Sequence, residues 1–211
     1  MRIVLIHAVR LAMQPVDDAF RRHWPDAERV NLLDDALSVD RDRAGALTPQ
    51  LAGRIATLAK YALDGGAAGI LYTCSAFGEA IEAVQRSSRI PVLKPNEAMF
   101  AEALARGRKL GLLATFPASI PSMERELSQM APGITIHSIC VPPALAALQA
   151  GDGAQHDALL AAVAPKLAGC DAVMLAQFST ARARDAVAAV VKCPVLTSPD
   201  SAVLAMRKLL G

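Results

Sequence analysis

The chain contains one sequence pattern twice. Residues 66–93 align without gaps with residues 169–196, 103 positions later, and seven of the 28 pairs are identical. A weaker match at an offset of 107 positions places residues 2–6 over residues 109–113. A chain of 211 residues is long enough for two such halves to bury a core each. We therefore expect two similar lobes, over residues 1–95 and 96–211, and the last helix, over 200–211, can return to the first lobe.

The first copy of the pattern centres on Cys74. An apolar run over residues 67–72 ends in Thr73, Cys74 and Ser75, and a helical pattern starts at Glu79. This order predicts a buried strand, a tight turn and a helix whose free N–H groups point back over the turn. Such a position lowers the pKa of a thiol and can hold an anion. The alternative is a buried structural cysteine, which is a common fate of free Cys.

The rest of the chain alternates between strand and helix patterns. Short apolar runs that predict strands begin near residues 2, 28, 90, 110, 134, 173 and 195, and helical patterns separate most of them. Such alternation with short turns indicates parallel sheets in an α/β fold. Thr48 and Pro49 have the pattern of an N-cap and a first helical residue, so a helix should run to about Leu63. The charged segment 34–45 is expected to be irregular, either as an active-site loop or as a solvated connection.

Composition argues against several classes of function. The net charge is +2 and basic residues form no stripe, so we expect no nucleic-acid partner. The four cysteines form no CxxC pair and no Cys/His cluster, so neither a metal site nor a disulfide framework is indicated. The first apolar run, over residues 2–7, starts too early and is too short for a signal peptide or a membrane span. Reduced thiols then favour a cytoplasmic protein without a membrane partner.

Four short motifs occur in a fixed order along the chain: LYTCSA at 71–76, IPVL at 90–93, KLGLLAT at 109–115 and LAQFS at 175–179. Together they make the sequence similar to the aspartate/glutamate/hydantoin racemase superfamily, which includes arylmalonate decarboxylase and maleate isomerase. The resemblance implies two α/β/α lobes with parallel sheets, related by a pseudo-twofold axis, and an active site in the cleft between them. It also implies a small carboxylate or amino acid as substrate, without a metal or an organic cofactor. We further expect a homo-oligomer.

The resemblance implies catalysis by two cysteines, one from each half, on opposite faces of the substrate's α carbon. One thiolate removes the α proton and the other thiol returns it, while hydrogen bonds stabilise the enolate-like intermediate. Cys74 fits the first position, but Gln177 stands at the second, and an amide has no proton to exchange near neutral pH. We therefore expect a single catalytic cysteine with Gln177 as its counterpart in the site. The other three cysteines, Cys140, Cys170 and Cys193, are expected to be structural.

Further residues near the predicted strand ends are candidates for substrate binding. They are His7, Thr73, Ser75, Ala76, Lys94, Asn96, Thr115, Phe116, Phe178, Ser179 and Thr180. His7 is also a candidate second acid or base, because imidazole titrates in the right range, with a structural role as the alternative. Ser179 and Thr180 either bind a substrate carboxylate or cap the helix that follows.

Three functions fit these expectations. The first is a cofactor-independent racemase or isomerase that acts through Cys74 at the α carbon of a small carboxylate or amino acid. The second is a decarboxylase or lyase of the arylmalonate-decarboxylase type, which protonates an enediolate. The third is a non-catalytic protein that binds a small carboxylate. Exchange of the α proton with solvent separates the first from the third, and release of carbon dioxide marks the second.

Overall fold

Two compact units make up the chain. The structure is a computed structural model that describes the backbone of residues 1–211 and every side chain except that of residue 118. The first unit, unit 1, combines Met1–Ala98 with Ala202–Gly211, and the second, unit 2, is Met99–Ser201. None of the helices among the described residues is both long enough and apolar enough to cross a membrane.

Unit 1 is built on a parallel sheet of four strands in the order β2-β1-β3-β4. The strands are β1 (Arg2–His7), β2 (Glu28–Leu33), β3 (Gly69–Tyr72) and β4 (Val92–Leu93). The helices are α1 (Met13–His23), α2 (Ala36–Ala44), α3 (Pro49–Asp64) and α4 (Gly78–Ser87). The chain passes from unit 1 into unit 2 within α5 (Glu97–Leu104) and returns within α10 (Ser198–Leu210).

Unit 2 repeats this arrangement with a parallel sheet in the order β6-β5-β7-β8. Its strands are β5 (Lys109–Ala114), β6 (Thr135–Cys140), β7 (Ala172–Leu175) and β8 (Val195–Thr197). Its helices are α6 (Ile120–Met130), α7 (Pro142–Gln149), α8 (Gly153–Val163) and α9 (Arg184–Ala188).

The strand boundaries follow the sequence repeat. β5 and β6 begin and end 107 residues after β1 and β2, whereas β7 begins and ends 103 residues after β3. The two sheets also share one strand order. These observations confirm the predicted α/β fold with parallel sheets, and they show that each of the two sheets has four strands. They also make Cys74 and Gln177 equivalent, since each is the second residue after the third strand of its sheet.

The cores explain why the central strands consist almost entirely of apolar residues. β3 and β7 are buried along their whole length, as expected for parallel strands covered on both faces. In unit 1, α10 approaches β3 so closely that a Cβ placed on Gly69 would lie 2.7 Å from the sulfur of Met206. Glycine at position 69 therefore allows the last helix to pack against the first sheet.

Local sequence signals explain some elements and miss others. Thr48 caps α3 by accepting a hydrogen bond from the Leu51 N–H, and Pro49 is the first helical residue, as predicted. The segment 34–45, expected to be irregular, instead contains α2, which ends at Gly45 with a φ of 66°. The helix expected to follow Ser179 and Thr180 is only the five residues of α9, which a 3-10 turn over Phe178–Ala183 precedes.

Candidate active site

Cys74 lies at the carboxyl end of β3, where the first sheet places its polar residues. It is half-buried and precedes a 3-10 turn over Ser75–Phe77, after which α4 begins at Gly78. The backbone N–H of Ala76 donates a hydrogen bond to the thiol, and the positive charge of Arg41 acts on it. The tight turn thus supplies one N–H donor, and α4 starts at Gly78, one residue before the predicted start at Glu79.

The balance of these effects differs from the prediction that the pKa of Cys74 is lowered. Burial raises the pKa of Cys74 above its ordinary value, and the Ala76 N–H and Arg41 only partly oppose that rise. Burial raises the pKa of the other three thiols as well, namely Cys140, Cys170 and Cys193. Cys74 therefore differs from the other three cysteines in its position and in its two neighbours that lower the pKa of the thiol. It does not differ by having a low pKa in the free protein.

A small, mainly apolar pocket adjoins Cys74 in unit 1. Besides Cys74 and Ile55, its lining residues are Ile6, His7, Ala8, Leu37, Tyr72 and Phe77. The phenol of Tyr72 is engaged, because its hydroxyl donates to the carbonyl of Ile55 at 3.0 Å. The residues that line the pocket therefore form a mainly apolar surface beside the thiol, with few polar groups.

Helix α2 lies against the Cys74 turn. Leu37 lines the pocket and is fully buried, and the Nε of Arg41 lies 3.4 Å from the carbonyl oxygen of Ala76. Arg54 on α3 fastens the segment through short ion pairs with Asp34 and Asp40, each 2.6 Å at its closest. Segment 34–45 is thus a helix that reaches the candidate site, and not a solvated connection.

His7, a predicted site residue, is fully buried and has both ring nitrogens engaged. Its Nδ1 lies 2.9 Å from Thr73 Oγ1, and its Nε2 lies 2.8 Å from Asn31 Oδ1. Burial lowers the pKa of His7, and the bond to Asn31 opposes that fall only in part. A neutral ring that donates from Nε2 to Asn31 and accepts at Nδ1 from the Thr73 hydroxyl satisfies both contacts. These contacts favour the structural alternative for His7 over direct proton transfer to a substrate.

Gln177 occupies the equivalent strand end in unit 2 and is partly exposed. Its Oε1 accepts two hydrogen bonds from Thr115, one from the backbone N–H and one from the hydroxyl, both at 2.8 Å. Its backbone is tied to Thr180, whose hydroxyl donates to the Gln177 carbonyl at 2.7 Å. Thr180 therefore stabilises the turn, as the capping alternative expected, and Thr115 holds the side chain of Gln177.

The remaining predicted binding residues divide by exposure. Ser75 and Ser179 are partly exposed in their turns, whereas Ala76 and Phe116 are exposed, Phe116 to 42%. Asn96, Phe178 and Thr180 are buried, so a substrate would reach them only after a rearrangement. Lys94 forms an ion pair with Glu82 at 2.9 Å and its side chain is only 14% exposed, so it is not the free surface lysine that is the usual case.

Sequence reasoning missed four residues that surround Cys74 and His7. They are Asn31, Leu37, Arg41 and Tyr72. Asn31 gave the clearest signal, because asparagine is disfavoured within a strand and needs a partner there. Arg41 gave no such signal in the sequence, because a charged residue in a charged segment is usually solvated. Among the described residues, no group of three His, Cys, Asp or Glu side chains is placed to hold a metal ion.

Comparisons with known proteins agree with this geometry. A family model described as Asp/Glu/Hydantoin racemase matches residues 11–136, more than half of the chain, a range that includes Cys74 and ends before Gln177. A search of the curated proteins gives no match.

Several solved structures share the fold. A glutamate racemase from Bacillus anthracis superposes with a TM-score of 0.72 at 14% identity, over 99% of this chain and 80% of that one. An allantoin racemase from Klebsiella pneumoniae gives 0.74 at 18% identity, over 99% and 87% of the two chains. An aspartate racemase from Picrophilus torridus gives 0.68 at 14% identity, over 98% and 93%. At such low identity these likenesses show the fold alone. The match of the family model over residues 11–136, with the two repeated sheets, shows that the chain belongs to the Asp/Glu/hydantoin racemase family.

Proposed function

We propose that the protein is a racemase-type isomerase that exchanges the α proton of a small carboxylate, amino acid or hydantoin through Cys74. The observation that carries the proposal is the placement of this thiol. Cys74 follows β3 at the carboxyl end of the first sheet, with an N–H donor from Ala76 and the charge of Arg41 beside it. Open parallel sheets bind ligands at this end of their strands. Membership of the racemase family supports the same class of reaction.

In the proposed step, the thiolate of Cys74 takes the proton from the α carbon. The C–H electron pair moves into the carbon–carboxylate bond, and the negative charge passes to the oxygens of an enediolate. Hydrogen-bond donors aimed at those oxygens lower the barrier, and the candidates in unit 1 are the Ser75 hydroxyl and the N–H groups of its turn. The thiol of Cys74 then exchanges its proton with solvent and returns a solvent proton to the same face of the α carbon, which completes the exchange. Inversion requires in addition that a proton reach the opposite face, for example from water. None of these steps uses an electron acceptor or a Lewis acid, so we propose a reaction without a cofactor.

The raised pKa of Cys74 has a consequence for this reaction. At neutral pH most of the thiol is protonated in the free protein, so the exchange rate should rise with pH. Bringing a substrate into the site also excludes water, which makes the opposing Arg41 charge more effective. Only Cys74 is subject to these two effects, because the equivalent residue in the second sheet is Gln177, which has no thiol.

The presence of one thiol favours a second candidate function, a decarboxylase or lyase. When a malonate-type substrate loses carbon dioxide, the electron pair of the broken C–C bond forms an enediolate. A group that delivers one proton to one face of this enediolate is sufficient to complete the reaction. Gln177 cannot return a proton near neutral pH, and both ring nitrogens of His7 are engaged in the core. Racemisation requires a proton to reach both faces, so the decarboxylase would explain a chain with a single active cysteine.

The test uses deuterated water and a panel taken from the named relatives: both enantiomers of glutamate, aspartate and allantoin, with arylmalonate for the second function. Proton NMR follows loss of the α-proton signal, and carbon dioxide release is measured for arylmalonate. We expect exchange with the wild-type protein, none with Cys74→Ser, and an unchanged rate with the matched control Cys140→Ser. Carbon dioxide release without exchange would favour the lyase. Binding of an acid with neither reaction would leave only the non-catalytic binder.

A further inference from the structure

Two free cysteines of unit 2, Cys170 and Cys193, lie at the starts of neighbouring strands. Each is two residues before its strand, β7 for Cys170 and β8 for Cys193. The two strands are paired in parallel with Val173 opposite Val195, and the Val173 N–H donates to the Pro194 carbonyl at 2.9 Å. Continued toward the strand starts, this register is one residue away from placing the two cysteines opposite each other. Both therefore lie at the same edge of the second sheet.

The spacing of the two cysteines suits a disulfide. Neighbouring strands are about 4.8 Å apart, and a shift of one residue adds about 3.3 Å along the strand. The Cα atoms are accordingly expected about 6 Å apart, within the range of about 4.4–6.8 Å that disulfides span. Both side chains pack in one apolar cluster, which also contains Val187 of α9. The thiol of Cys193 also acts on the pKa of Cys170, as neighbouring sulfur atoms do.

Packing alone does not require thiols at these two positions. The equivalent residues of unit 1, 103 positions earlier in the repeat, are Ala67 and Ile90. Both pack in the apolar core of unit 1, where the Ile70 N–H donates to the Pro91 carbonyl at 2.9 Å, as Val173 does to Pro194 in unit 2. The same arrangement is thus filled in unit 1 by an alanine and an isoleucine. Unit 2 has a cysteine at both positions, which adds thiol chemistry that the packing does not need.

We propose that Cys170 and Cys193 are an oxidation site, which hydrogen peroxide converts into a disulfide within unit 2. Cys193 is partly exposed and Cys170 is only 7% exposed, so the peroxide reaches Cys193 first. The Cys193 thiolate attacks one peroxide oxygen, the O–O bond breaks, and a sulfenic acid forms as hydroxide leaves. The Cys170 thiolate attacks the sulfur of the sulfenic acid, the S–S bond forms and a second hydroxide leaves. The protons of the two thiols convert both hydroxides into water, so two thiols are oxidised and one peroxide is reduced.

The disulfide closes a covalent ring over the crossover from β7 to β8. The ring runs from residue 170 to residue 193, and it contains the 3-10 turn over Phe178–Ala183 and the short helix α9. A cross-link of this kind restricts the unfolded chain, so the oxidised protein should be more stable than the reduced one. The disulfide does not involve Cys74 and is independent of the proposed reaction.

Peptide mapping of the folded, full-length protein tests the site. The protein is treated with hydrogen peroxide, its remaining thiols are blocked with N-ethylmaleimide, and the peptides are analysed by mass spectrometry without reduction. We expect a pair of peptides joined through Cys170 and Cys193, which dithiothreitol separates again. In Cys170→Ser, dimedone, a trap for sulfenic acids, should label Cys193 about tenfold more than in wild type, because no second thiol attacks it. The matched control Cys140→Ser should give the wild-type result in both measurements.

Urea unfolding measures the effect of the bond. Oxidation before the addition of urea should raise the folding equilibrium constant on the order of a hundredfold for a ring of this size. The rise should occur in wild type and Cys140→Ser, and be absent in Cys170→Ser and Cys193→Ser. Oxidation of Cys193 to a sulfinic acid while Cys170 stays free would overturn the proposal. A bond that joins two molecules, or one that forms only in urea, would overturn it as well.

Discussion

The Nδ1 of His7 lies 2.9 Å from the hydroxyl oxygen of Thr73, the residue that directly precedes Cys74. The other ring nitrogen lies 2.8 Å from Asn31, so the ring links three strands of the first sheet. The link joins the end of β1, the middle of β2 and the residue after β3. A buried ring that is satisfied in its neutral form responds to acid in a predictable way.

Acidification should destabilise the protein through His7. Burial lowers the pKa of His7 in the folded state, so the unfolded chain binds a proton first as the pH falls below about 6.5. The free energy of unfolding should then decrease by up to about 1.4 kcal/mol per pH unit until the lower folded-state pKa is reached, and stay level above pH 6.5. Urea unfolding between pH 5 and 8 measures this. His7→Gln should flatten the profile below pH 6.5, whereas the exposed His137→Gln should not; equal slopes in both variants would refute the assignment.

Arg41 should control the reactivity of Cys74. Its charge favours the thiolate, so Arg41→Gln should slow alkylation of Cys74 by iodoacetamide. We expect an effect of about threefold, because interactions between exposed charges contribute less than about 1 kcal/mol. Arg43→Gln removes a charge from an exposed face of the same helix and is the matched control. Peptide mass spectrometry at several pH values gives the rates, and an identical loss in both variants would indicate only a long-range change in net charge.

Gln177→Cys should create a second group able to exchange a proton. A thiol at this strand end reproduces the position of Cys74 in unit 1, and adding Thr115→Ala reproduces its Ala8 neighbour. We expect the double variant to invert an amino acid or hydantoin about tenfold faster than wild type, since a thiol misplaced by about an ångström loses a large part of its efficiency. Circular dichroism follows the inversion.

The control for this variant is Cys74→Ser in the same background, which should abolish the inversion. A wild-type protein that already racemises its substrate rapidly, and that Gln177→Cys slows, would show that position 177 is not a vacated catalytic position.

Gly69 and Gly53 should respond in opposite ways to replacement by alanine. A Cβ on Gly69 would meet Met206 and Leu210 of α10, so Gly69→Ala should lower the free energy of unfolding by about 1–3 kcal/mol. A Cβ on Gly53, within α3, would meet no atom within 4 Å. Gly53→Ala should therefore raise the free energy of unfolding by about 0.5–1 kcal/mol, because alanine has the higher helix propensity. Urea unfolding of both variants at one pH gives the comparison.

The sheets could be predicted from the sequence because parallel strands leave a strong local signal. β1 and β2 coincide with apolar runs, and their counterparts β5 and β6 recur at a constant offset. The repeat in the sequence alone also makes Cys74 and Gln177 equivalent positions. Burial on both faces and internal duplication each constrain many residues at once, so small local errors do not change the result.

Contacts between distant segments could not be predicted in the same way. Arg41 reaches Ala76 across 35 positions, and nothing in a charged stretch shows that it folds into α2. The pKa of Cys74 was expected to be lowered because the turn donates an N–H. Burial among apolar side chains, which include Leu37 and Phe77, raises this pKa instead. Of these two residues, Leu37 lies far from Cys74 in the sequence. Desolvation depends on the complete packing around a group, whereas sequence patterns describe its neighbours along the chain.

The packing of Met206 against Gly69 makes unit 1 discontinuous, with all of unit 2 inserted between its two segments. Residues 1–98 alone therefore lack the helix that covers Gly69, and β3 becomes buried on both faces only when residues 202–211 pack against it. All four strands of the second sheet lie within residues 99–201, so that sheet needs no strand from another part of the chain. Removal of residues 202–211 should thus expose the strand that leads to Cys74 while the second sheet keeps all of its strands.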